Sequence, residues 1–268
     1  MMAYIGSGQQ QPRAGQPLEI GKILWSTGSG VVMRLPHLFL ICGPTIMLST
    51  LLFDFVTGYD LDWVETGLVA LGPPYWLWVA VDTMLTAIVV CLVTHITHAT
   101  YRRQSMQWIT YLRQLPGTIV PQTIVVLIAV VPAALTEYVP YETAYLASIA
   151  LTLFLLAVSV FLLVVSQVIV LEGLGLRSFK RGVQLTSGYR WSIAALVIAL
   201  YIIMAVVLVF VALILDLLTS PTIYTSWVLP ASTHGPEALL AILSTLTYLR
   251  LRDLKEGKSP QDLAEVFA

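Results

Sequence analysis

Charge is what this chain has least of: 14 basic and 15 acidic side chains in 268 residues, 11% in all. Soluble domains usually carry roughly 25%. A 29.5 kDa chain with so few ionisable groups cannot cover itself in water, so a soluble fold is excluded by the surface it would need. Cysteine is nearly absent too. Cys42 and Cys91 each lie inside an apolar stretch, which argues against a disulfide framework and leaves buried, reduced thiols as the default. There is no phosphate loop, no nucleophile elbow, no HExxH and no CxxC, so the motif-borne chemistry of soluble enzymes is missing. No cofactor, no metal and no nucleic-acid partner is expected. The opening residues MMAYIGSGQQQPRAGQPLE lack the positive start and apolar run of a cleaved signal peptide. Residues 1–17 read as a disordered cytoplasmic tail.

What is there instead is apolar: 57% hydrophobic residues and a mean hydropathy of +0.84. The chain reads as an all-α integral membrane protein. A bilayer core of roughly 30 Å takes about 20 helical residues at 1.5 Å each. Stretches of that kind lie at 36–56, 75–98, 117–135, 143–171, 191–217 and 235–251, the last being the shortest. Six transmembrane helices are therefore expected within a membrane domain spanning 18–257, followed by a cytoplasmic tail, 258–268. The apolar segment 221–233 is a candidate re-entrant or surface segment.

The basic residues set the orientation, because Lys and Arg in short loops stay on the cytoplasmic side. Arg13, Lys22 and Arg34 precede the first span. Arg102, Arg103 and Arg113 lie between the second and third; Arg177, Lys180, Arg181 and Arg190 lie between the fourth and fifth; Arg250, Arg252, Lys255 and Lys258 close the chain. The opposite loops hold acids, Asp60, Asp62, Glu65, Glu137 and Glu142. Both termini are expected in the cytoplasm.

Three basic segments share a second property. At 100° per residue, Leu176, Phe179 and Val183 cluster on one side of a helix beside Arg177, Lys180, Arg181 and Gln184. Trp108, Ile109, Leu112 and Leu115 oppose Gln107, Thr110, Arg113 and Gln114, and Ile20, Ile23, Leu24 and Val31 oppose Glu19 and Lys22 more weakly. Each reads as an amphipathic helix lying in the inner interface, basic side toward anionic head groups. They also end alike, with Leu35, Leu115 and Leu185 each just before a breaker, which suggests three repeats of interfacial helix and membrane hairpin.

The run Glu172-Gly173, Arg181, Leu185-Thr186, Gly188 and Arg190-Trp191, with the closing Tyr248, Leu251-Arg252 and Lys255-Glu256-Gly257, resembles a bacterial six-span membrane family. It is the membrane domain attached to some glycerophosphodiester phosphodiesterases, with relatives among the YciC-like inner-membrane proteins. The resemblance implies an inner-membrane location and this helical layout. It implies no activity, since in the fused members the chemistry belongs to a separate soluble barrel. Arg250 stands where the family usually has an Asp.

Candidate chemistry rests on polar residues at membrane depth, where a charge costs at least about 2.5 to 3.5 kcal/mol on insertion scales. Asp82 lies about 12 Å below the outer end of its span, while Asp54, Asp216 and Glu237 stand at helix ends in the same outer half. Together they read either as a cation or proton site or as water-reaching ends plus an Asp82 held by a hydroxyl. His37, His95 and His98 share a depth near the cytoplasmic side and read either as ligands or as interfacial histidines. Gly43-Pro44 is expected to break the first span, and Pro121 and Pro132 flank the third. The leading functional expectation is a non-enzymatic module in the bacterial inner membrane that binds anionic phospholipid through Arg102, Arg103, Arg113, Arg177, Lys180, Arg181 and Arg190 and supports a protein partner. A small cation- or proton-coupled transporter built on the carboxylates is the first alternative. A lipid-modifying enzyme using His95, His98 and Glu172 is the second.

Overall fold

A long apolar run can satisfy its own backbone without water only as a helix, and helix is what these runs form. The computed structural model describes residues 18, 20–57, 73–102, 104–135, 141–218 and 229–256. In chain order the helices are α1 (Ile20–Thr57), α2 (Pro73–Tyr101), α3 (Trp108–Leu135), α4 (Tyr141–Glu172), the short α5 (Ser178–Thr186), α6 (Arg190–Leu218) and α7 (Leu229–Glu256). No strand occurs among the described residues. Among the described residues two helices, over Trp76–Tyr101 in α2 and Arg190–Val207 in α6, are long and apolar enough to cross a membrane; Pro36–Leu52 and Val160–Glu172 are shorter apolar segments.

Several boundaries differ from those the sequence predicts. Of the three amphipathic segments, only the third is a helix of its own. The first is continuous with α1, which runs through Pro36 and Pro44, and the second forms the opening turns of α3, which runs through Pro116. A proline removes one backbone hydrogen bond, whereas a full break would strand several carbonyls and amides, so continuing the helix is the cheaper solution in apolar surroundings. Neither Leu35-Pro36, Gly43-Pro44 nor Leu115-Pro116 therefore ends a helix. Segment 221–233 is corrected in part: residues 229–233 are the first turn of α7, and 221–228 lie outside the described residues.

α7 sits at the centre. It packs against α1, α2, α4 and α5, while α2 also packs on α1 and α3, and α4 on α3 and α6. One apolar core joins Val164 and Val168 of α4, Ile193 and Leu196 of α6, and Leu243, Leu249 and Leu251 of α7. A second joins Leu38 and Ile41 of α1 to Val89, Val93 and Ile96 of α2 and Ile242 of α7. α6 is peripheral: only 22% of its apolar window is buried, against 50% for α2.

Between the helices lie polar pairs. Gln167, fully buried on α4, accepts from Thr94 of α2 at 2.8 Å and from Thr245 of α7 at 3.0 Å, and donates to Ser244 at 2.6 Å. Ser166 donates to Gln122 of α3 at 3.0 Å. Ser49 donates to Asp82 at 2.6 Å, tying α1 to α2, and Thr86 donates to Glu237 at 2.9 Å, tying α2 to α7. Other hydroxyls fold back onto carbonyls one turn earlier, as Thr83, Thr97 and Thr247 do, which hides them without a partner helix. The outward faces are the reverse. Trp191 is 89% exposed, Phe55 81% and Trp25 80%, and α6 presents Ile202, Val206, Phe210 and Leu213 outward. Amides inside and large apolar side chains outside is the opposite of a water-soluble bundle.

Candidate functional site

At the end where α2, α4 and α7 finish, isolated polar pairs give way to a connected cluster. α4 stops at Glu172 because Gly173 takes a left-handed φ of 66° and its amide bonds back to the Ile169 carbonyl at 3.1 Å, a helix C-terminal arrangement that suits glycine. The chain then makes a 3-10 turn, Gly175–Arg177, and enters α5. α5 lies close on α4: at Gly182 an added Cβ would sit 2.5 Å from Val165 Cγ2. Its buried face is Ser178, Gly182, Leu185 and Thr186. Gly188, at φ 85°, turns the chain into α6.

Polar contacts then fasten α5 down. The Tyr248 hydroxyl, on a fully buried side chain, donates to Glu172 Oε1 at 2.7 Å, and Arg181 Nε faces Glu172 Oε2 at 3.4 Å. The Arg181 guanidinium also pairs with Glu256, which Arg252 holds from one turn earlier at 3.3 Å. Lys255 donates to the Gln184 carbonyl. Partial burial alone would lower the pKa of Arg181, but the hydrogen bond and charge of Glu256 and the charge of Glu172 outweigh it and raise the pKa. Seven of the residues quoted for the resemblance thus meet in space, Glu172 of α4, Arg181 and Leu185 of α5, and Tyr248, Arg252, Lys255 and Glu256 of α7, and form one latch, whereas Trp191 is 89% exposed.

Beside the latch is a cavity of about 760 Å³. α2 contributes His95 and His98; the α2–α3 connection contributes Gln104, Ser105 and Gln107. α3 adds Thr110, Tyr111, Gln114, Gly117 and Thr118, and the end of α4 adds Val170, Leu171, Glu172 and Gly173. His95 is 6% exposed and stacks on Tyr111, with ring centroids 4.7 Å apart and planes 9° from parallel. Its Nε2 has no hydrogen-bond partner among the described residues. His98 lies within electrostatic reach of Arg102 and Arg252. The lining is dominated by neutral amides and hydroxyls, and Glu172 belongs to both cavity and latch.

The structure brings His95, His98 and Glu172 to one cavity and leaves His37 elsewhere, its ring 6.2 Å from Trp108. Asp82 accepts from the Ser49 hydroxyl and Glu237 from the Thr86 hydroxyl. The side chains of Asp54 and Asp216, together with Arg103 and Gly257, lie outside the described residues. Among the described residues no three of His, Cys, Asp or Glu group as a metal site. Of the cations expected at head groups, Arg113, Arg177, Lys180 and Arg190 are exposed, and Arg190 stands 5.3 Å over the Phe161 ring. Arg181 turns inward instead, because two carboxylates await it. Phe179 likewise packs partly on Val125, Val165 and Ile169 rather than outward, while Val183 is exposed. Sequence reasoning treated Gln107, Thr110 and Gln114 only as the wet side of a helix. Their recurrence at i, i+3 and i+7, with Gln104, Ser105 and Tyr111 nearby, was the available signal of a lined site.

Compared with known proteins, the chain matches no family model, no curated protein and no solved structure.

Proposed function

We propose that the chain is a six-span protein of the bacterial cytoplasmic membrane, both termini inside, whose cavity receives the head group of an inner-leaflet phospholipid. One observation carries this reading: the polar cavity opens at the end of the bundle that carries the basic residues, beside helices whose outward faces are apolar. An acyl chain along such a face and a head group in the cavity suit one amphiphile. Arg177, Lys180, Arg113 and Arg190, exposed at that end, would add about 1 kcal/mol each of attraction to an anionic leaflet.

The protein acts as a binding module supporting a partner or a lipid-related process, rather than as a catalyst. Both oxygens of Glu172 are engaged, by Tyr248 and Arg181, which suits an anchor more than a proton carrier. A lipid-modifying enzyme is the second reading, because His95, His98 and Glu172 line one cavity. A carboxylate-coupled transporter draws less support, since Asp82 and Glu237 serve as ties between helices. Photo-crosslinking with a phospholipid carrying a diazirine on its head group, followed by peptide mapping of the full chain in vesicles, tests the proposal. Adducts are expected within 104–118 and 170–173. Adducts spread along the exposed face of α6 with none in those segments would contradict it.

A further inference from the structure

Resting on that reading, the cavity wall also bears on which head group it takes. Head groups fall into chemical classes, and each asks for a different lining. A bare phosphate asks for cations, yet no Lys or Arg is among the described residues that line the cavity. An ammonium group asks for an available carboxylate or an open aromatic face. The lining carboxylate, Glu172, already accepts from Tyr248 and pairs with Arg181, and Tyr111 is stacked on His95. What the wall does offer is a set of neutral groups that both donate and accept: Gln104, Ser105, Gln107, Thr110, Gln114 and Thr118. Five of them, Gln104, Ser105, Gln107, Thr110 and Gln114, are exposed and so within reach of an entering group. Amides and hydroxyls at this density match a ligand bearing several hydroxyls, each of which donates and accepts in turn. The volume, about 760 Å³, lies within the usual range for small-molecule sites and admits a sugar ring.

We infer that the cavity takes an uncharged polyhydroxyl head group, a glycerol or a sugar ring, and that the phosphate of a glycerophospholipid stays at the rim near Arg102. Arg102 is half-buried, follows His98 by one helical turn and lies within its electrostatic reach.

Native mass spectrometry of the full chain in mild detergent tests this, with four lipids of matched acyl chains offered in equal amounts. These are phosphatidylglycerol, monoglucosyl diacylglycerol, phosphatidylethanolamine and phosphatidic acid. The glycerol and glucosyl lipids are expected to be retained about tenfold over the other two, and Gln107→Leu/Gln114→Leu to remove most of that preference. Both side chains are exposed, and a melting curve confirms that the variant is folded. Phosphatidic acid retained as well as phosphatidylglycerol, or a ratio insensitive to the double leucine variant, overturns the inference. Lipid binding through charge then still stands. No retention of any lipid, with no saturable binding of free glycerol or methyl glucoside either, overturns both. A parallel titration with free glycerol and methyl glucoside separates the sources: saturable binding of these without lipid retention supports the hydroxyl chemistry and overturns the lipid source.

Discussion

Ser178, on the inner face of α5, is fully buried, and its hydroxyl has no hydrogen-bond partner among the described residues. A buried polar atom left unpaired costs about 1–3 kcal/mol. Ser178→Ala is therefore expected to raise the melting temperature in detergent or leave it unchanged; a clear drop would reveal a partner. Gln167 is the opposite case, with every polar atom satisfied by Thr94, Ser244 and Thr245. Hydrogen bonds between membrane helices average about 0.6 kcal/mol each, because unfolded helices find other partners in the bilayer. Gln167→Leu should cost about 1–2 kcal/mol in a reversible unfolding measurement, and a cost near zero would show that packing alone sets the α2–α4–α7 register. Gln167 and Gln122 stand in the runs VVSQVIV and VPQTIV. Hydropathy summed over a window dilutes such single amides, which is why the long apolar helices were legible in the sequence and the ties between them were not.

Among the elements, α5 shows most plainly what one-dimensional pattern can and cannot reveal. Its helical character and its position between two long apolar helices were legible from the spacing of Arg177, Lys180 and Arg181. Its buried side was not. The periodicity sorts side chains by polarity, whereas the seat of α5 on α4 depends on Gly182 being small enough to pass Val165, a matter of shape with no polarity signal. The family-like motif was legible as a set of letters, and only the fold shows that Glu172, Arg181, Tyr248 and Glu256 touch. In Arg181→Gln both Glu172 and Glu256 lose their cationic partner on α5. Hydrogen exchange across 178–186 should then accelerate by at least about tenfold relative to α4, as expected for an element held mainly by its anchors. Unchanged protection there would mean that Leu185 and the Gly182 contact suffice. The prolines of α1 and α3 taught the converse: Pro36, Pro44 and Pro116 read as breaks in sequence, yet the helices continue past them.

For the whole molecule, the apolar runs and the segregation of charge were the legible part, because both are sums over many residues and tolerate local error. Six of the described helices are long; some ends lie close to the expected bounds, at 57, 73, 135, 172, 190 and 218, whereas α1 begins at 20 rather than 36, α3 at 108 rather than 117, and α7 covers 229–256 rather than 235–251. The cavity was invisible for the opposite reason. Its wall is assembled from α2, the α2–α3 connection, α3 and the end of α4, and neutral Gln, Ser and Thr carry no signature until the fold collects them. That the bundle crosses the membrane with this cavity at the cytoplasmic face is tested most directly by cysteine labelling. Cys42 and Cys91 are first replaced by Ala, and single cysteines are then placed at Ser105 in the cavity wall and at Glu142 near the far end of α4, about 45 Å along that helix from the cavity-lining Glu172 at 1.5 Å per residue. With a membrane-impermeant maleimide, Ser105→Cys is expected to label only in inverted vesicles and Glu142→Cys only in intact spheroplasts. Labelling of Ser105→Cys in intact spheroplasts, or of both positions from one side, would contradict the placement.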